Sequence, residues 1–213
     1  MNPTPRCPHP VAVAAVALLL SGCISLLPKQ PPVQLYRFGV PPPPPPAGSA
    51  PAAAQFSVRA AATGFERAAA GDRILTVVGN QAAYIAKARW VTPAGTLFDA
   101  AVARAFESHL GPARLLATGE PIAADYTLKL DTRAFEARYD HGPGAAPLIV
   151  IEVYAALDPR VGPTADTRRL FHAESRATSN NIRSICAAFD TAVTQALTDL
   201  VGWVDSAGAP AKG

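Results

Sequence analysis

The chain has 213 residues, 49% of them hydrophobic and 16% charged, with a formal net charge of +3. That is the length of one domain with enough apolar content to bury a core. Alanine and proline are abundant, and no acidic or basic block follows the N-terminal segment, which argues against a nucleic-acid partner.

The N-terminus carries Arg6, an unbroken Val, Ala and Leu run from Val11 to Leu20, and then Ser21-Gly22-Cys23. A positive charge, a short apolar core and small residues at a cut site form the layout of a secretory signal peptide. Ten apolar residues rise only ~15 Å as a helix, about half the hydrocarbon thickness of a bilayer, so residues 1–22 are expected to be removed rather than to span. Leu20-Ser21-Gly22-Cys23 resembles the lipobox of bacterial lipoproteins, which implies that Cys23 becomes the first residue and carries acyl chains. Burial of acyl chain stabilises by ~0.8 kcal/mol per methylene, so two or three chains hold the protein on a membrane. Ile24, where an inner-membrane retention signal shows aspartate, implies the periplasmic face of the outer membrane. Cys7 leaves with the signal and Cys23 is acylated, so Cys186 has no disulfide partner and is expected buried and inert on a helix.

Residues 23–32 read as the lipidated N-terminus and tether, and 33–205 as the domain. Val33 to Phe38 alternates like a strand. Pro41 to Pro46 holds a polyproline II rod of ~19 Å within a Pro/Ala-rich stretch, 41–54, which is either a loop inside the domain or a tether. Gln55 to Glu66 is a further strand region. Ile74 to Val78, Gly79-Asn80 and Gln81 to Trp90 form a hairpin pattern, with Tyr84, Ala86, Ala88 and Trp90 on one face and Ile85, Lys87 and Arg89 on the other. Thr96, with Asp99 three residues on, is placed to cap a helix whose stripe is Leu97, Phe98, Ala101, Val102, Ala105, Phe106 and Leu110, stopped by Gly111-Pro112. Arg114 to Ala117 is a short strand. Tyr126 to Tyr139 is a long one in which Tyr126, Leu128 and Leu130 have the opposite parity to Phe135, Ala137 and Tyr139, so a bulge is required between them. Leu148 to Leu157 reads as a central strand covered on both sides, and Leu170 to Thr178 as another with Arg168, His172, Glu174 and Arg176 on its polar face. A helix from Ile182 to Val204 buries Ile185, Phe189, Ala192, Val193, Ala196, Leu200 and Trp203, and 206–213 reads as a disordered tail. The sum is one α/β domain: a mixed, mainly antiparallel sheet with two principal helices packed on it.

The motifs of several enzyme classes are missing from this sequence. There is no G-x-S-x-G elbow, H-E-x-x-H, C-x-x-C, G-x-G-x-x-G or Walker A loop. His109, His141 and His172 are scattered over a helix, a loop and a strand, which disfavours a metal site. Asp125 and Asp131 read as strand-edge charges rather than a hydrolytic carboxylate pair. Arg168, Arg169, Arg176 and Arg183 read as a solvated face, since Asp166 and Glu174 are interspersed; the other reading is a surface for phosphates or an acidic partner. No metal or cofactor is expected.

Tyr84, Arg89-Trp90 and Pro93, ahead of the Leu97 helix, resemble the Y-x-x-x-x-R-W-x-x-P signature of the ABC-type transport auxiliary lipoprotein family. The resemblance continues through Asp125-Tyr126-Thr127-Leu128, Phe135-Glu136-Ala137 and the closing helix. The chain departs from it in the hexaproline insert and in Val91, where members often have alanine. Membership implies a fold similar to the TolB amino-terminal domain. It also implies a non-enzymatic lipoprotein working beside an ABC permease, its ATPase and a mammalian-cell-entry (MCE) domain protein that moves phospholipids or other hydrophobic molecules, with self-association left open. Tyr84, Arg89, Trp90 and Pro93 would be structural or interface residues. The rival readings are a lipid-anchored periplasmic hydrolase and a general envelope-stability lipoprotein that binds peptidoglycan.

Overall fold

A thirteen-residue strand organises the sheet. In the computed structural model, which describes residues 32–39, 55–162 and 167–208, the elements are β1 (Gln34–Tyr36), β2 (Phe56–Ala60), β3 (Gly64–Phe65), β4 (Arg73–Val78), β5 (Gln81–Trp90), α1 (Ala94–Ser108), β6 (Ala113–Leu115), β7 (Tyr126–Arg138), β8 (Leu148–Pro159), β9 (Arg168–Arg176) and α2 (Ile182–Gly208). The signal segment, Cys23, the 41–54 stretch and residues 209–213 lie outside the described residues. One edge of β7 pairs antiparallel with β8 along its whole length, and β9 follows beyond β8. The other edge takes β2, β3 and β4 in succession, all parallel to it. β6 then lies outside β2, β5 outside β4, and β1 outside β5. The sheet is mixed, and its three antiparallel ladders carry most of the register. The strand region from Gln55 to Glu66 is thus two strands, broken at residues 61–63 where the chain steps along β7.

The bulge required by the change of parity in β7 is present. Thr132 pairs with Val153 and Ala134 with Glu152, leaving Arg133 as the extra residue. Leu128, Leu130 and Thr132 before it, and Phe135 and Ala137 after it, therefore all face β8 residues of the buried set 149, 151, 153, 155 and 157. β8 is central in the pairing order but is not covered equally on its two faces. Its even-numbered face carries half-buried Glu152 and Tyr154 beside buried Val150 and Ala156. Val150 sits between Glu136 and Glu174, and Ala156 between Lys129 and Arg168, so the aliphatic stems of long polar neighbours do the covering that a third layer would otherwise do.

Both helices pack on the opposite, odd-numbered face. α1 begins at Ala94 after Pro93, three residues earlier than a Thr96 cap implies, and no side chain caps it. The reason is that the Ala94 and Gly95 N–H groups donate to the carbonyls of Gly71 (3.0 Å) and Ala70 (3.4 Å), so the orphan donors of the first turn are satisfied by another segment's backbone. Leu110 falls beyond the helix and is exposed rather than on its buried stripe. α2 is capped by the Asn181 side chain, which accepts from the Ser184 N–H at 3.0 Å. Its stripe of Ile185, Phe189, Ala192, Val193, Ala196 and Leu200 is buried, while Trp203 is half-buried with its ring edge-on to Phe171 at 5.6 Å. The helix runs on to Gly208, so residues 206–208 are its last turn rather than part of a tail. A Cβ on Gly208 would come within 2.4 Å of the Phe56 ring, and glycine is what lets the helix end lie against β2.

Candidate functional site

Tyr84, Arg89, Trp90 and Pro93 meet at one corner and hold one loop. The Tyr84 hydroxyl donates to the Ala68 carbonyl at 3.0 Å. The Arg89 Nη1 donates to both oxygens of Asp72 at 3.0 Å. The Trp90 N–H donates to the Asp72 carbonyl at 2.7 Å, and Pro93 leads into the helix whose first N–H reaches Gly71. The four positions thus converge on residues 68–72, the link between β3 and β4. The spacing follows from a bulge in β5: Leu75 pairs with Tyr84 but Arg73 with Arg89, and Lys87 stands on left-handed backbone at φ 61°. This bulge also breaks the simple alternation of the strand, so that Ala86 is exposed instead of sharing the face of Trp90.

Trp90 points into the core, 2% exposed. Its ring stands edge-on to Phe38 at 5.0 Å and to Phe189 at 5.2 Å, and Phe135 completes the cluster at 6.2 Å. Arg73 lies over the Tyr84 ring, 3.7 Å from its centroid. Sequence reasoning singled out neither Asp72 nor the Phe38–Phe135–Phe189 cluster. Asp72 follows Gly71 in what reads as a turn, and nothing local joins it to Arg89.

A second feature is a cleft of about 930 Å³ between α1, the end of β2 and the β6 segment. Buried Val102, Phe106, Ala113 and Leu116 give it an apolar floor, and its size falls in the range of small-molecule sites. Three of its charged or titratable rim residues, Arg59, Arg114 and His109, are engaged with protein groups. Arg59 donates to the carbonyls of Glu120 (3.1 Å) and Ile122 (2.6 Å), and Arg114 pairs with the Glu120 carboxylate, which this contact and the Ala117 N–H hold below the usual carboxylate range. His109 Nε2 lies 2.5 Å from Asp205, whose other oxygen accepts the Ala113 N–H at 3.1 Å. The pair ties the two helix ends to β6.

The other residues weighed from the sequence stay apart. His172 lies between Glu152 and Glu174, 3.1 Å from each, and His141 is 3.8 Å from Asp140. Among the described residues no three His, Cys, Asp or Glu side chains are grouped to hold a metal. Asp125 accepts from the Ser57 N–H and hydroxyl, which lowers its pKa, whereas Asp131 pairs with Arg133. Of the late arginines, Arg176 is bonded to Asp140 and Arg169 lies over the Phe171 ring. Cys186 is a buried free thiol whose pKa burial pushes up to about 12. No described helix is long and apolar enough to cross a membrane.

A family model for the ABC-type transport auxiliary lipoprotein component matches residues 36–201. The fold is similar to the crystal structure of a Xanthomonas campestris protein of family DUF330, at 28% identity and a TM-score of 0.68, covering 82% of this chain and 96% of that one. A solved structure of an uncharacterized protein shares the fold at 15% identity and a TM-score of 0.62, covering 82% of this chain and 99% of that one. No curated protein matches the sequence.

Proposed function

We propose, because this chain belongs to the ABC-type transport auxiliary lipoprotein family, that it is a non-enzymatic periplasmic accessory protein held on the outer membrane by acyl chains on Cys23. In this role it docks an MCE-type ABC transporter of phospholipids or other hydrophobic molecules to that membrane. The observation that carries the reading is the coincidence of the family match over 36–201 with Leu20-Ser21-Gly22-Cys23 at the end of a signal-like segment. Acyl chains supply position and the folded domain supplies recognition, a division in which tethering raises the effective concentration of a modest protein contact. The geometry is in keeping with it: the signature side chains are occupied in holding the 68–72 loop and the core, and Arg59 and Arg114 at the rim of the cleft are bonded to protein groups.

The test separates anchor from domain. A soluble form lacking residues 1–23 should bind the MCE-domain partner in a pull-down yet fail to restore envelope barrier function in a deletion strain. Turnover of a lipid or glycan by that form, abolished by one Asp, Ser or His substitution that leaves it folded, would replace the docking reading with the hydrolase.

A further inference from the structure

The outward face of the β1–β5 corner carries bare aliphatic side chains among cations. Leu35 and Arg89 are register partners, and Leu35 is 62% exposed. Val33 and Arg37 flank β1 on either side, and Val91 follows the last residue of β5. Val33 and Val91 are also exposed, and so are Arg37, Lys87 and Arg73. Arg73 faces Arg89 across the ladder, and Lys87 projects from the bulge one step before the Gln34–Ala88 pair. Three apolar side chains therefore share a surface with four basic ones, of which Arg89 is paired with Asp72 and Arg73 lies over the Tyr84 ring.

We propose that this face is a membrane-docking surface that seats the domain on a bilayer bearing anionic phospholipid headgroups. Two features single out a lipid surface as the occupant. The first is composition: interfacial binding needs apolar groups that enter the headgroup boundary and cations that meet the phosphates, and here both kinds lie on or beside two adjacent strands. The second is reach. The inference rests on the lipoprotein reading, under which the chain from acylated Cys23 to Val33 spans at most ~36 Å when fully extended. That length leaves β1, the first strand of the domain, within reach of the bilayer. Attraction to an anionic surface acts within a Debye length of about 8 Å and raises partitioning about fivefold per basic side chain.

The experiment uses the mature chain with Cys23→Ser, so that no acyl chain contributes, and measures flotation with phosphatidylcholine vesicles and with vesicles containing phosphatidylglycerol. The parent should float with the anionic vesicles only and be released by salt. Leu35→Ser with Arg37→Glu should weaken flotation more than tenfold without moving the urea midpoint, since both side chains are exposed. Arg168→Glu on β9, at the far edge of the sheet, should leave it unchanged. If the first pair unfolds early, Lys87→Glu with Val91→Ser is the second probe, and the same loss is expected. Equal flotation of the parent on both vesicle types, or equal flotation of parent and variants, overturns the proposal. So does unchanged flotation accompanied by lost capture of the transporter or lost self-association, which would make the face a protein interface. Acyl labelling of Cys23 in cells reports separately on the lipoprotein reading, so the two fail independently.

Discussion

Trp90→Ala is expected to be the most damaging single truncation in the signature. A buried tryptophan removes ~150 to 250 Å² from water, which at ~25 cal/mol per Å² amounts to about 4 to 6 kcal/mol as an upper bound. Partial collapse around the void returns some of this, and the edge contacts with Phe38 and Phe189 add ~0.5 to 1.5 kcal/mol each. The net cost should be ~3 to 5 kcal/mol, in line with large aromatic truncations in cores, against a total of ~5 to 15 kcal/mol for a domain. With a urea slope near 2 kcal/mol per M, the midpoint should fall by about 2 M. The remaining tryptophan, Trp203, packs on Phe171 and reports unfolding by fluorescence in both proteins. Arg89→Ala, which breaks an ion pair whose side chains are 44% and 47% exposed, should cost only ~0 to 1 kcal/mol. A midpoint shift below about 0.5 M for Trp90→Ala with an unchanged slope would refute the reading of the ring as a core anchor.

Three further outcomes follow from the packing. Asp140, bonded to Arg176 where the β7–β8 loop meets β9, has its pKa lowered from 3.8 to about 2. Its folded pKa lies below the unfolded value, so its stabilisation is present above pH 4 and is lost as the pH falls toward 2; acid titration of stability should be shallower in Asp140→Asn over that window. Cys186, the one thiol left in the mature Cys23→Ser chain, should resist a thiol reagent at pH 8 until denaturant opens the domain, since burial holds it protonated. Gly39 sits at φ 65° with its would-be Cβ 2.6 Å from the Ala101 Cβ, so Gly39→Ala should cost ~1 to 2 kcal/mol for the backbone plus the clash, read as a drop in urea midpoint.

Periodicity read along the chain was sufficient wherever the physics is local. The Gly79-Asn80 turn, the stripe of α2 and the parity change in β7 each leave a signature within a few residues, because a helix face, a tight turn and a bulge are properties of short segments. What could not be read was set by distant partners. β2, β3 and β4 lie along one edge of β7 because that strand is long enough for three short ones, and nothing in Gln55 to Glu66 announces where the first must end. Thr96 looks like a cap, yet the donors of α1 are met by Ala70 and Gly71, more than twenty residues upstream. Leu148 to Leu157 looks buried on both faces because Val150 and Ala156 are apolar, whereas the stems of Glu136, Glu174, Lys129 and Arg168 do the covering. In the signature corner the hydrophobic role of Trp90 is legible from alternation. The Asp72 partner of Arg89 and the convergence on residues 68–72 are not, since both arise only once the bulge at Lys87 has turned the strand. The cleft beside α1 left no sequence signal, its floor being ordinary core residues of three separate elements.

The measurement that bears most directly on the central claim is cross-linking in intact cells from an exposed position of the folded domain, followed by identification of what is captured by the wild type and by Cys23→Ser. The account predicts that the wild-type chain, acylated at Cys23 and fractionating with the outer membrane, captures the MCE-domain protein together with its permease. Cys23→Ser should lose its salt-resistant fractionation with the outer membrane without losing the ability of its domain to bind that partner. Capture of peptidoglycan or of proteins unrelated to any ABC transporter, by a chain that still reaches the outer membrane, would contradict it.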